Sequence, residues 1–200
     1  RQEGHAVVDM SDTASIRAIL DFWFLPLGHV DHAQRREVWW QSTPELDAEI
    51  ASRFGASIDL AIAGELDHWR RSPDGALALT LLCDQFTRNI WRRTARAFSG
   101  DAKARETARH ALAHNYPVVY PREIRQFFYM PFQHSEDLGD QNFCCTLFST
   151  LGNPDGDRHA REHRDIVARF GRFPHRNEVL GRECTAEELD YLKTAKRFGQ

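Results

Sequence analysis

At 200 residues, 42% hydrophobic and 28% charged, the chain has the size and balance of a single globular domain. That composition excludes collagen, extended disorder and a disulfide-dense miniprotein, and the longest nearly unbroken apolar run, Ala76 to Cys83, is far short of the ~20 residues a bilayer-spanning helix needs. A net charge of −3 lacks the basic excess of a duplex-binding protein, so neither nucleic acid nor membrane is an expected partner.

Arg1 to Asp9 carries scattered charge without the apolar core of a secretory signal. The cytoplasm is therefore the expected compartment, with residues 1–10 as a flexible N-terminal extension and 11–200 as one domain. Ile16, Ile19, Leu20 and Trp23 recur at helical spacing behind Ser11 or Thr13 as N-cap, and Pro26 and Gly28 end the pattern. Trp39 and Trp40 fall in a connector. Thr43-Pro44 supplies an N-cap and a proline at the first helical position, and Leu46, Ile50, Phe54, Ile58 and Ile62 form a stripe. This predicts a helix to about Arg70, with Gly55 and Gly64 as weak points. Ser72-Pro73-Asp74 repeats the start signal before Leu77, Leu79, Leu81, Leu82 and Phe86, apolar on most sides and so the expected central helix.

Ser99-Gly100-Asp101 opens a helix that stops before Pro117, and Pro121 opens another through Phe127 and Phe128, broken near Met130-Pro131. Ser135 is the expected N-cap of a helix holding Leu138, Cys145, Leu147, Phe148 and Leu151, closed by Gly152-Asn153-Pro154. From Asp157 a further helix aligns His159, His163, Ile166, Val167 and Phe170 and stops at Gly171. Thr185-Ala186-Glu187-Glu188 is a capping box before Leu189 and Leu192. No segment alternates with period two, so the expected fold is all-α, about eight or nine helices packed as antiparallel hairpins.

Three stretches hold more ionisable residues beside large apolar ones than folding requires. The first is Asp84-Gln85-Phe86-Thr87-Arg88-Asn89. Asp84 and Arg88 at i, i+4 permit a structural ion pair, the commoner outcome; the functional reading aims Arg88 at an anion, oriented by Asp84 and Gln85. The second runs from Phe127 to Asp137, where an aromatic run meets a helix start with His134, Glu136 and Asp137. The two acids are explained by the helix dipole, but His134 beside them also suits proton transfer. The third joins His163, on an apolar stripe and so expected to face inward, to the donor-rich turn of Arg172, His175, Arg176 and Asn177.

Of 26 basic residues, 23 are arginine, which suits internal ion pairs or an anion pocket. Cys83, Cys144, Cys145 and Cys184 show no C-x-x-C spacing, the pattern of reduced packing cysteine. His134, Glu136, His163 and His175 are chemically suited to zinc, but without H-E-x-x-H the spacing is not diagnostic and no metal site is assigned. The sequence has no G-x-S-x-G, P-loop or dinucleotide fingerprint.

The same stretches, with Leu20-Asp21-Phe22-Trp23-Phe24, Thr94-Ala95-Arg96-Ala97-Phe98, Tyr129-Met130-Pro131-Phe132-Gln133-His134-Ser135-Glu136-Asp137 and Arg169-Phe170-Gly171-Arg172-Phe173-Pro174-His175-Arg176-Asn177, resemble the bacterial domain-of-unknown-function family 924. The resemblance spans about residues 16–192 and implies a tetratricopeptide-like helical superhelix with no assigned activity. Thr87 stands where the family commonly has proline, and Gln133 where it commonly has glutamate.

The first expectation for function is a polar pocket binding a small anionic molecule or peptide end. Its ligand-binding residues would be Asp84, Gln85, Arg88, Asn89, Arg125, Asp137, Arg172, His175, Arg176 and Asn177. The second is a hydrolase, with or without a metal, using His134, Glu136 and His163 as catalytic groups. The third is a protein-interaction scaffold.

Overall fold

The computed structural model describes residues 10–195; of the extension expected over 1–10, residues 1–9 lie outside them and Met10 already belongs to the first helix. Among the described residues there are helices, turns and no strand. None of these helices is long and apolar enough to cross a membrane.

Helix α1 (Met10–Phe24) already includes Ser11 and Thr13, the residues expected to cap it. At its other end, Arg36 closes the helix: its Nη1 donates to the carbonyls of Phe22 and Trp23, each at 2.8 Å. Helix α2 (Pro44–Ala63) starts as its sequence dictates, with the Thr43 hydroxyl accepting from Leu46 N–H at 3.2 Å. It stops at Gly64 (φ +84°), well short of Arg70, because a left-handed glycine satisfies the last carbonyls there. Helix α3 (Pro73–Thr80), capped by Ser72, runs into a π-helical turn, Leu81–Phe86, and on into α4 (Thr87–Ile90). This composite rod is the buried centre that the leucine run implies.

A π turn releases carbonyls from the regular ladder, and such turns gather at functional sites. Here side chains take up the slack: the Thr87 hydroxyl donates to Cys83 O at 3.0 Å and Arg88 Nη1 to Asp84 O at 2.9 Å. Helix α5 (Asp101–Ala113) packs on α3. Gly100 brings it in, since a Cβ there would sit 2.2 Å from Cys83 O on the π turn. Gly100→Ala should therefore cost about 2 kcal/mol by overpacking, a loss of about 5 °C in melting temperature for a domain of this size, checked by thermal denaturation.

The segment opened by Pro121 breaks as expected near Met130-Pro131, into α6 (Arg122–Arg125) and α7 (Met130–Gln133) joined by a 3-10 turn. Helix α8 (Leu138–Ser149) is capped by Asp137, which accepts from Asp140 N–H at 2.8 Å. Ser135 is not that cap: its hydroxyl accepts from Asp137 N–H at 3.2 Å and donates to Asp140 Oδ2 at 2.8 Å, bracing the turn one step earlier. Helix α9 (Pro154–Phe170) begins three residues before the expected Asp157, because Asn153 caps it and Pro154 opens it, and it ends at Gly171 (φ +70°). Helices α8 and α9 pack along each other as a hairpin. The capping box at Thr185 and Glu188 starts α10 (Ala186–Leu192) as read.

One large apolar core joins α1, α2, the central rod and Phe127, Phe128 and Phe132. Its aromatic rings meet edge to face, as in Trp39–Phe127 at 5.1 Å and Trp23–Phe86 at 5.2 Å. Trp39 is locked further by its indole N–H, which donates to Trp23 O at 2.9 Å. A smaller core of Ile166, Val167 and Phe173 seats the C-terminal turns. All four cysteines are free thiols, Cys83 and Cys144 buried.

Candidate functional site

The π turn places Asp84 almost wholly inside the protein, 1% exposed. Its carboxylate has three neighbours. His134 Nδ1 lies 2.7 Å from Oδ1, Gln85 Nε2 donates to Oδ2 at 2.7 Å, and Arg88 Nη1 stands 3.5 Å from Oδ1. Burial alone would push Asp84 up, but the charges of His134 and Arg88 and the two hydrogen bonds hold it down at about 2, so it is ionised. His134 is shifted the other way. Burial disfavours its imidazolium and outweighs the pull of Asp84, lowering it below 6.5. A neutral imidazole facing a carboxylate must carry its proton on Nδ1. Nε2 is then an acceptor that no group among the described residues engages and that is not sealed from solvent.

His134 lines a cavity of about 330 Å³, toward the small end of ligand pockets. Val38, Trp39, Trp40 and Met130 form its apolar wall; Gln85, Arg88, Asn89, Gln133 and His163 form the polar one, with Ser42, Arg92 and His159 completing the lining. The guanidinium of Arg88 forks onto Asp101 at 2.7 and 3.0 Å. Arg176, stacked over Phe98 at 4.4 Å and Phe173 at 4.6 Å, comes within 3.8 Å of the same carboxylate and donates to His134 O at 2.9 Å. Burial and the like charge of Arg88 bring Arg176 down to about 10. Asp47 takes Ser42 Oγ at 2.5 Å, Asn89 Nδ2 at 2.8 Å and Arg92 Nη2 at 3.3 Å. The three arginines around the cavity thus each face a carboxylate, and the charges of Asp47, Asp84 and Asp101 balance those of Arg88, Arg92 and Arg176.

A family model for bacterial protein of unknown function (DUF924) matches residues 19–196. The chain belongs to the DUF924 family. Among solved structures, that of a protein of unknown function, ATU0120, from Agrobacterium tumefaciens is similar: 39% identical, covering 92% of this chain and 99% of its own, with a TM-score of 0.83. Comparison with curated proteins gave no match.

In this DUF924 chain the residues singled out in the sequence divide into two groups. Gln85, Arg88, Asn89, His134 and His163 line one cavity, and Asp84 stands directly behind His134. Arg176 supports that wall from outside through Asp101 and the His134 carbonyl. The others lie elsewhere. Glu136 accepts Phe173 N–H at 2.8 Å and both Nη groups of Arg182 at 2.7 and 2.9 Å, tying the C-terminal turns to the start of α8. Asp137 is a helix cap, Arg125 donates to Pro117 O and Tyr120 O, and Arg172 forks onto Glu188. Asn177 is buried beside Cys184 and Glu188, and His175 packs its ring on Phe173. Among the described residues no three His, Cys, Asp or Glu side chains stand together as metal ligands. The suggested set of His134, Glu136, His163 and His175 does not assemble, since Glu136 is held by Arg182.

Asp101, Ser42, Asp47 and Trp40 carried no sequence signal as site residues. Asp101 reads simply as the acid of a helix start, and nothing local announces that it takes Arg88 from thirteen residues away. His163 does face inward. Its Nδ1 donates to His159 O at 2.8 Å, and burial drives it down to about 3. Between pH 6.5, where the unfolded histidine titrates, and about 3, only the unfolded state takes up that proton. Stability should therefore be full above pH 6.5 and fall as the pH drops toward 3, and His163→Gln should flatten this window in denaturant titrations run across pH.

Proposed function

We propose that the chain is an acid–base hydrolase in which His134, oriented by Asp84, activates water against an ester or amide held in the cavity. The observation that carries this reading is the buried Asp84 carboxylate 2.7 Å from Nδ1 of His134, a residue that lines the cavity. Asp84 fixes the tautomer and ring orientation and stabilises the imidazolium that forms when Nε2 takes a proton from attacking water. The same proton then passes from Nε2 to the leaving group, restoring the neutral ring. Arg88, neutralised by its fork on Asp101, holds the wall beside His134 and keeps the Asp84 carboxylate ionised. Glu136 has no part in this chemistry, being committed to Arg182 and Phe173.

This reading outranks simple capture of a small anion, because the two guanidiniums that line the cavity, Arg88 and Arg92, each already face a carboxylate. The four free thiols support the expected cytoplasmic setting. The test is a panel of chromogenic esters and anilides assayed with wild type and His134→Ala. Turnover of one class, lost in the variant while its melting curve stays intact, is the expected result. Equal turnover by the variant would reject His134 as the base.

A further inference from the structure

We infer that the molecule this cavity accepts is an uncharged hydrogen-bond donor, a carboxamide or an ester of a polyol, and not an anion; this deepens the hydrolase reading by naming the substrate class of the same site. What decides is which end of each polar side chain is left over. Gln85 and Asn89 are four residues apart on the central rod and both line the cavity. An amide is asymmetric: its nitrogen only donates and its oxygen only accepts.

The nitrogen of Gln85 lies 2.7 Å from Asp84 Oδ2 and 3.5 Å from Met130 Sδ. The nitrogen of Asn89 lies 2.8 Å from Asp47 Oδ1 and 2.9 Å from Ser42 Oγ. An ionised carboxylate has nothing to donate, so turning either amide over would set two acceptors against each other. Asp84 and Asp47 therefore fix both amides with nitrogen inward and oxygen outward. Neither Gln85 Oε1 nor Asn89 Oδ1 receives a hydrogen bond among the described residues, and neither is sealed away. His134 adds Nε2, whose acceptor character Asp84 imposes in the same way.

Three residues that line one small cavity thus each keep an acceptor to spare, with the other end pinned by a carboxylate. Arg88, the deepest cation, has both Nη groups committed to Asp101 and the Asp84 carbonyl. A carboxylate or phosphate entering here would shed its water against lone pairs, which is costly. A molecule offering two or three N–H or O–H groups satisfies the acceptors, and its carbon skeleton meets Val38, Trp40 and Met130.

Matched pairs titrated into the wild-type full chain test this by calorimetry or ligand-observed NMR: a carboxamide against its carboxylate, and a polyol against its phosphate ester. The neutral member of at least one pair should bind about tenfold tighter or more, the scale of a buried hydrogen-bonding group left unpaired, and the responding pair separates amide from polyol. Gln85→Met and Asn89→Leu should each weaken the neutral member by about tenfold without changing the anion. Tighter or equal binding of the anions, or no binding by either neutral compound, overturns the inference. The outcome is independent of turnover. Preference for the neutral compound with an active His134→Ala would sink the hydrolase reading alone; preference for the anion with an inactive His134→Ala would sink this inference alone.

Discussion

Asp101→Asn should lower the melting temperature by about 10 °C. Asp101 receives Arg88 at 2.7 and 3.0 Å and faces Arg176 at 3.8 Å, and both arginines are less than a tenth exposed. Asparagine keeps the shape, but it removes the charge and turns two amide hydrogens toward guanidinium donors. Breaking one partner out of a buried ion pair costs about 3–5 kcal/mol, and each kcal/mol moves a domain of this size by roughly 2–4 °C. Removing the stranded cation as well should relieve part of the loss, so Arg88→Met with Asp101→Asn should cost less than the two changes summed. Thermal melts of the three variants check this; a shift under about 2 °C for Asp101→Asn would mean that the network contributes little.

Asp84→Asn should cut turnover by about a thousandfold, within the range of acid–base contributions, while binding changes far less. An amide at 84 presents hydrogens to His134 where the carboxylate presented lone pairs. The ring then keeps its proton on Nε2, pointing a donor into the cavity where a base is needed. The pH dependence follows from the same geometry. Burial lowers His134 below 6.5, and only the neutral ring accepts a proton. Wild-type activity should therefore be full at neutral pH and fall on the acid side as the imidazolium forms. The pH profile of kcat/KM in wild type and Asp84→Asn checks both statements, and a wild-type profile rising toward acid would contradict them.

Much of the fold is legible because it is written locally. Thr43-Pro44, Ser72-Pro73, Gly171 and the Thr185–Glu188 box set helix ends within a few residues of one another, and the structure uses each as read. The errors arise where two local signals compete. Ser135 and Asp137 are both good caps, and hydrogen bonding to Asp140 decides for Asp137. Gly152-Asn153-Pro154 looks like a stop but is also the next start. The π turn at Leu81–Phe86 is silent in a run of leucines, yet it is what carries Asp84 and Gln85 to His134. For the site, residue type pointed correctly to Asp84, Arg88 and His134. It pointed equally to Glu136 and Arg172, because an ion pair that staples two turns has the same composition as a catalytic pair. Only three-dimensional placement separates them, and Asp101, seated by the close approach of Gly100 to Cys83, is beyond any local pattern.

One proton, on the His134 ring, decides this chemistry, and ¹⁵N NMR of the histidine rings reads it directly. At pH 7 the His134 resonances should show a neutral ring protonated at Nδ1, with Nε2 bare, and this state should persist as the pH is lowered to 6.5. A His134 that is an imidazolium at pH 7, or neutral with its proton on Nε2, would contradict the account, since Nε2 would then be a donor and no base would face the cavity.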